Sequence, residues 1–97
     1  MPVVTFDYKD FTNLLKQKIK KEKLVNDLPM IGGDLEKVEK DEISIEFFPN
    51  RPDLLSVEGI VRAVRSFYKI NPGLMKYNVK NSDIELRIDS SVKKVRP

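Results

Sequence analysis

The stretch Glu46-Phe47-Phe48-Pro49-Asn50-Arg51-Pro52-Asp53-Leu54-Leu55-Ser56-Val57-Glu58-Gly59-Ile60-Val61-Arg62-Ala63-Val64-Arg65-Ser66-Phe67 decides the fold. It reads as the end of a strand, a stiff proline elbow and the most strongly patterned helix of the chain. Val57, Ile60, Val61, Val64, Phe67 and Tyr68 recur at the spacing that places them on one helical face, while Arg62, Arg65 and Lys69 fall elsewhere. Pro49 and Pro52 fix their own φ angles and push Phe48 and Arg51 away from helical geometry, so the helix cannot extend backwards through them. Asn50, Asp53 or Ser56 can each cap the first turn; Asp53 is the reading adopted. Glu58 stands four residues before Arg62, the favourable order for a helical ion pair, which contributes only about 0.3–0.5 kcal/mol when exposed.

Before this stretch, Ile43, Ile45 and Phe47 alternate with Ser44 and Glu46, the period of a strand with one buried face. Leu35 to Glu39 precedes it across Lys40-Asp41, which predicts a hairpin. Earlier still, Pro2 to Phe6 is β-prone, and Asp7 is a helix cap with Asp10 in the following turn. A first helix then carries Phe11, Leu14, Leu15 and Ile19. The pattern restarts at Leu24, Val25 and Leu28, which predicts a break within Lys20 to Lys23 and a second short helix. Pro29 can end that helix, and Gly32-Gly33 supplies turn chemistry. After the central helix, Asn71-Pro72-Gly73 turns the chain. Ile84, Leu86 and Ile88 alternate with Glu85, Arg87 and Asp89, which predicts another strand. The fold class expected is α+β: three helices with a small antiparallel sheet and a winged-helix-like architecture. The boundaries expected are one module over 1–89 and a linker over 90–97 that leads to a further module.

Ninety-seven residues form one domain, which buries roughly two-thirds of the surface its unfolded chain exposes. No cysteine and no histidine are present, which removes thiolate nucleophiles, thiolate metal sites and the commonest general base. No apolar run spans a membrane or forms a signal-peptide core, so the expected compartment is the cytoplasm and no membrane partner is expected. A net charge of +3 is too dilute to announce a nucleic-acid binder.

Phe48-Pro49-Asn50-Arg51-Pro52-Asp53 and the helix that follows closely resemble a segment near the N-terminus of the β chain of phenylalanyl-tRNA synthetases. Met1 to Phe6, Leu28 to Gly32 and Ser91 to Pro97 are similar too, so the resemblance covers nearly the whole chain. Bacterial β chains carry an inserted oligonucleotide-binding barrel near the position of Lys40-Asp41. No room for it exists here, so the resemblance is to the archaeal and eukaryotic type. Lys20 departs from the Ser or Asp cap that relatives often place before the second helix.

The resemblance implies a cytoplasmic α2β2 enzyme that joins phenylalanine to its tRNA, tRNA(Phe), with ATP and magnesium. Aminoacylation in that family belongs to the α chain, and the module that follows this one in the β chain hydrolyses mischarged tyrosyl-tRNA. This chain is then expected to be a non-catalytic first module that binds no cofactor or metal itself and positions the editing module. The other reading kept open is a free-standing nucleic-acid-binding domain of winged-helix type.

Two groups of residues invite a functional reading. Asn50, Arg51, Pro52, Asp53 and Gly59 form the start of the central helix. There Asp53 is read as a cap, Arg51 as a partner for a carboxylate or carbonyls, and Gly59 as a site of close packing. Lys20, Lys21, Lys23, Arg62 and Arg65 are the candidates for contact with RNA phosphates. Solvated surface is preferred for them, because acids are interspersed and no aromatic residue is interleaved for stacking. Asp34, Glu36, Glu39, Asp41 and Glu42 match no oxygen-cage spacing and read as hairpin surface.

Overall fold

Ile43, Ile45 and Phe47 are fully buried on one face of the strand that centres the sheet. The computed structural model describes residues 1–96; Pro97, the last residue of the expected linker, lies outside the described residues. The elements are β1 (Val3–Asp7), α1 (Tyr8–Leu15), α2 (Lys21–Asp27), β2 (Gly33–Glu39), β3 (Glu42–Phe47) and α3 (Val57–Phe67), with 3-10 turns at Leu28–Ile31, Pro52–Leu54 and Ser90–Lys94. The sheet is antiparallel in the order β1-β3-β2. Val4 pairs with Ile45 on one side and Gly33 with Phe47 on the other, and a bulge interrupts β2 between Leu35 and Lys37. Three helices with this sheet make the fold α+β. The β2–β3 hairpin precedes α3, and no strand follows α3 among the described residues, so the winged-helix likeness is not confirmed.

The core is one cluster. Phe6, Phe11, Leu15, Ile19, Leu24 and Leu28 meet the buried face of β3, and Leu54, Ile60, Val61 and Val64 close it from the other side. No helix among the described residues is long and apolar enough to cross a membrane.

Several expectations are corrected. α1 ends at Leu15, earlier than its apolar pattern suggests, because Lys16 turns left-handed at φ 57° and donates its N–H to the Thr12 carbonyl. Ile19 is nonetheless buried, delivered by the loop rather than by a helix. α2 begins at Lys21, inside the expected break, and Lys20 precedes it without a side-chain cap. Gly33 belongs to β2 rather than to the turn: a Cβ there would fall 2.7 Å from the Phe47 ring and 2.8 Å from Ile45. Phe67, assigned to the apolar face of α3, is 44% exposed at the helix's last turn. Ile84 to Ile88 forms no strand, since no neighbouring strand offers it hydrogen bonds.

The largest correction concerns the start of α3. Ser56 is the cap: its hydroxyl accepts from the Gly59 N–H at 3.2 Å, and its own carbonyl accepts from Ile60. Asp53 lies in the preceding 3-10 turn, with its carboxylate held by Arg51. The turn is tied by bonds from Arg51 N–H to the Phe48 carbonyl and from Leu54 N–H to the Arg51 carbonyl. Buried Leu54 anchors it in the core. A Cβ on Gly59 would stand 1.7 Å from the Asp53 carbonyl oxygen, so the helix and the elbow touch through a position with no room for a side chain.

Helix propensity favours Ala over Gly by about 1 kcal/mol, whereas a forced overlap with backbone costs about 1–3 kcal/mol or more. The overlap therefore wins, and Gly59→Ala is expected to lower stability in chemical denaturation. Ser56→Ala should cost about 1 kcal/mol through loss of the cap. Asp53→Ala, which breaks only an exposed ion pair, should leave the denaturation midpoint nearly unmoved.

Candidate functional site

The motif-bearing elbow presents its polar groups to each other. Arg51 donates from Nε to Asp53 Oδ1 at 2.9 Å and from one terminal nitrogen to Oδ2 at 2.8 Å, a two-pronged pairing that matches guanidinium to carboxylate. The Asp53 carboxyl is held below its ordinary range by that hydrogen bond, and the Arg51 guanidinium is raised by the same contact. Asn50 and Pro52 are exposed in the turn, and Gly59 lies buried behind it. Arg51, Asp53, Gly59 and Arg62 line one open groove together with Met30 and Phe67.

The candidate phosphate-binding cations fall into two sets. Lys20 and Lys23 border a hollow with Ile19, Tyr68 and Ile70, while Arg62 and Arg65 border another with Leu14, Val61, Met75 and Tyr77. Lys21 is half-buried beside Val25 and Val38. Lys23 donates to Asp27 Oδ2 at 2.6 Å and lies 4.9 Å from the centre of the Tyr68 ring. Arg62 is exposed, and among the described residues it makes no salt bridge with Glu58, contrary to the order of their charges.

Arg65 does something the sequence did not announce. One terminal nitrogen donates to the carbonyls of Leu14 and Leu15, at 3.1 and 3.2 Å, and the other to the Met75 sulfur at 3.4 Å. Its Nε is buried with no acceptor. A cation at the C-terminus of α1 satisfies carbonyls that the helix leaves orphaned and meets the negative end of its dipole. The only hint in the sequence was position: Arg65 follows Val61 by four residues and so borders the apolar stripe.

A second missed device is the Lys23–Asp27–Tyr68 cluster. The Tyr68 hydroxyl donates to Asp27 Oδ2 at 2.6 Å, which joins α2 to the end of α3. Lys23 and then Tyr68 hold the Asp27 carboxyl below its usual value, while burial and then Asp27 push the Tyr68 phenol up. Tyr8 similarly donates to the Ile19 carbonyl and pins the loop after α1. A signal for the first pair existed in the i, i+4 spacing of Lys23 and Asp27; the tyrosine lies 41 residues away and had none.

What this surface can do chemically is bind by shape and charge. Among the described residues no three metal-ligating side chains gather, and Asp41 and Glu39 pair with Lys9 and Lys37. Arg65→Met should lower stability by about 1–3 kcal/mol in urea denaturation by leaving carbonyls unpaired, and Arg62→Met should change it little. Acid dependence follows from Asp27. Its folded-state pKa is depressed, so its stabilisation is complete above the ordinary value of 3.8 and is lost as pH falls through the folded value. Asp27→Asn should therefore flatten the fall of melting temperature with pH below about 4.

The chain is similar to proteins named phenylalanine-tRNA ligase beta subunit. It is 46% identical to that of Methanococcoides burtonii over 97 residues, covering 100% of this chain and 18% of that protein. To that of Methanopyrus kandleri it is 46% identical over 100 residues, and to that of Methanosphaera stadtmanae 41% over 97 residues, each match covering 100% of this chain and 17% of the relative. No family model and no solved structure matches. The chain thus spans less than a fifth of the length of the curated relatives it matches. Every one of its residues falls within those matches, and the chain belongs to the archaeal phenylalanine-tRNA ligase beta subunit family, as a counterpart of the N-terminal part of that subunit.

Proposed function

We propose that this chain is the N-terminal structural module of a phenylalanine-tRNA ligase beta subunit, carries no reaction step itself and sets the following editing module in place. The whole enzyme would join an alpha subunit in an α2β2 assembly, act on tRNA(Phe) with ATP and magnesium, and work in the cytoplasm. The observation that carries this reading is likeness over every residue of the chain at 41–46% identity to proteins of that name. The chemistry of the surface agrees with it: Arg51, Asp53, Lys23, Asp27, Tyr68 and Arg65 engage one another or backbone carbonyls, an arrangement suited to holding shape. A free-standing nucleic-acid binder is not favoured, because two of its candidate cations, Lys23 and Arg65, are already engaged within the chain.

The test separates binding, chemistry and placement. Alone, the chain should hydrolyse no tyrosyl-tRNA. It should bind tRNA(Phe) no tighter than the non-specific range of about 10⁻⁴–10⁻⁶ M at physiological salt, weakening further as salt rises. Nanomolar binding by the chain alone would overturn the structural reading in favour of a nucleic-acid module. In the complete enzyme, loss of residues 1–70 should lower tyrosyl-tRNA hydrolysis per folded molecule.

A further inference from the structure

Beyond Ile70 the chain leaves the core. Met75 touches Arg65, and after it residues 76–89 run exposed without regular structure. The radius of gyration, 16.4 Å, exceeds the roughly 13 Å of a compact domain of this length, consistent with an arm that stands off the body. Within the arm, Ile84, Leu86 and Ile88 are 90%, 85% and 67% exposed and alternate with Glu85 and Arg87. Alternation with one apolar side is the pattern of a strand laid on a core. Its ends are defined by local turns: the Ser82 hydroxyl accepts from the Ile84 N–H at 2.9 Å, and Asp89 accepts from the Ser91 N–H at 2.8 Å. The five residues between are an ordinary strand length.

We propose that Ile84–Ile88 is a β-strand of a second sheet, formed with the part of the beta subunit that follows this chain, and that it fixes the N-terminal module to that part by backbone pairing. The inference rests on reading the chain as the N-terminal part of a longer subunit. Its relatives place more than four-fifths of their length outside the matched stretch, which supplies the occupant. The sheet already described is a poor alternative. Consecutive strands usually pair, but the strand that precedes the arm in sequence is β3, and both of its edges are taken by β1 and β2. The arm also reassigns the expected 1–89 boundary: the packed module closes with Ile70, and Ile84–Ile88 belongs to what comes next.

Hydrogen–deuterium exchange on the complete beta subunit in its enzyme, and on the 97-residue chain, tests this. Amides of 84–88 should exchange freely in the short chain and be slowed about a hundredfold or more in the whole subunit. Glu85→Pro with Arg87→Pro removes two ladder donors and leaves the apolar side intact. This double variant should abolish the protection while leaving the melting temperature of the short chain unchanged. Free exchange in the whole subunit would overturn the proposal. So would protection already present in the short chain: if independent of concentration it means pairing with its own β2 edge, and if dependent on concentration it means pairing with a second copy. Tyrosyl-tRNA hydrolysis is read separately. Protection without any dependence of hydrolysis on residues 1–70 would sink the positioning role alone, and dependence without protection would sink the strand alone.

Discussion

The structure depends on a single close approach, that of the first turn of α3 to the carbonyl of Asp53 through Gly59. Two prolines make the preceding elbow stiff, so the direction in which the chain leaves the central strand is set before the helix begins. Gly59 lets the helix lie directly against that elbow, and Leu54 sinks from the elbow into the same core that Ile60 and Val64 complete. Sheet, elbow and helix are thereby joined as one body. The Arg51–Asp53 pair on its outer surface braces the turn from solvent.

With α3 fixed, its far end orders the rest. Arg65 reaches the final carbonyls of α1, and Tyr68 reaches Asp27 at the end of α2. Helices that are too short to be stable in isolation are held at their ends by side chains from a third. The same contacts weigh on function. Groups that could have met phosphate or substrate instead complete a scaffold, which suits a part of a tRNA ligase subunit that supports chemistry performed elsewhere. The arm beyond Ile70 carries the opposite character: apolar alternation without a partner, on the side of the chain where the longer relatives continue.

Much of this was legible in residue order. The alternation at Ile43, Ile45 and Phe47, the Asp7 cap and the α3 stripe are local signals, and each formed where its period or cap placed it. The likeness to synthetase β chains rested on contiguous residues from Phe48 onward, and full-length relatives carry it. Other features depended on distance in space. Asp53 and Ser56 are both good capping residues, and only the backbone path of the 3-10 turn decided for Ser56. The end of α1 was hidden because Lys16, a poor stop signal, adopts the left-handed conformation where Arg65 secures the carbonyls beside it. Ile84 to Ile88 has the composition of a strand, yet a strand exists only where another supplies its hydrogen bonds.

By itself, then, the sequence determined the elements, the buried stripe and the kinship, because periodicity, proline geometry and motif are properties of neighbours along the chain. The tertiary structure alone decided which residue caps α3, that Gly59 must lack a side chain, and that Arg65, Asp27 and Tyr68 serve as ties. Those depend on atoms brought together from as many as 51 residues apart, and no local pattern encodes such a meeting.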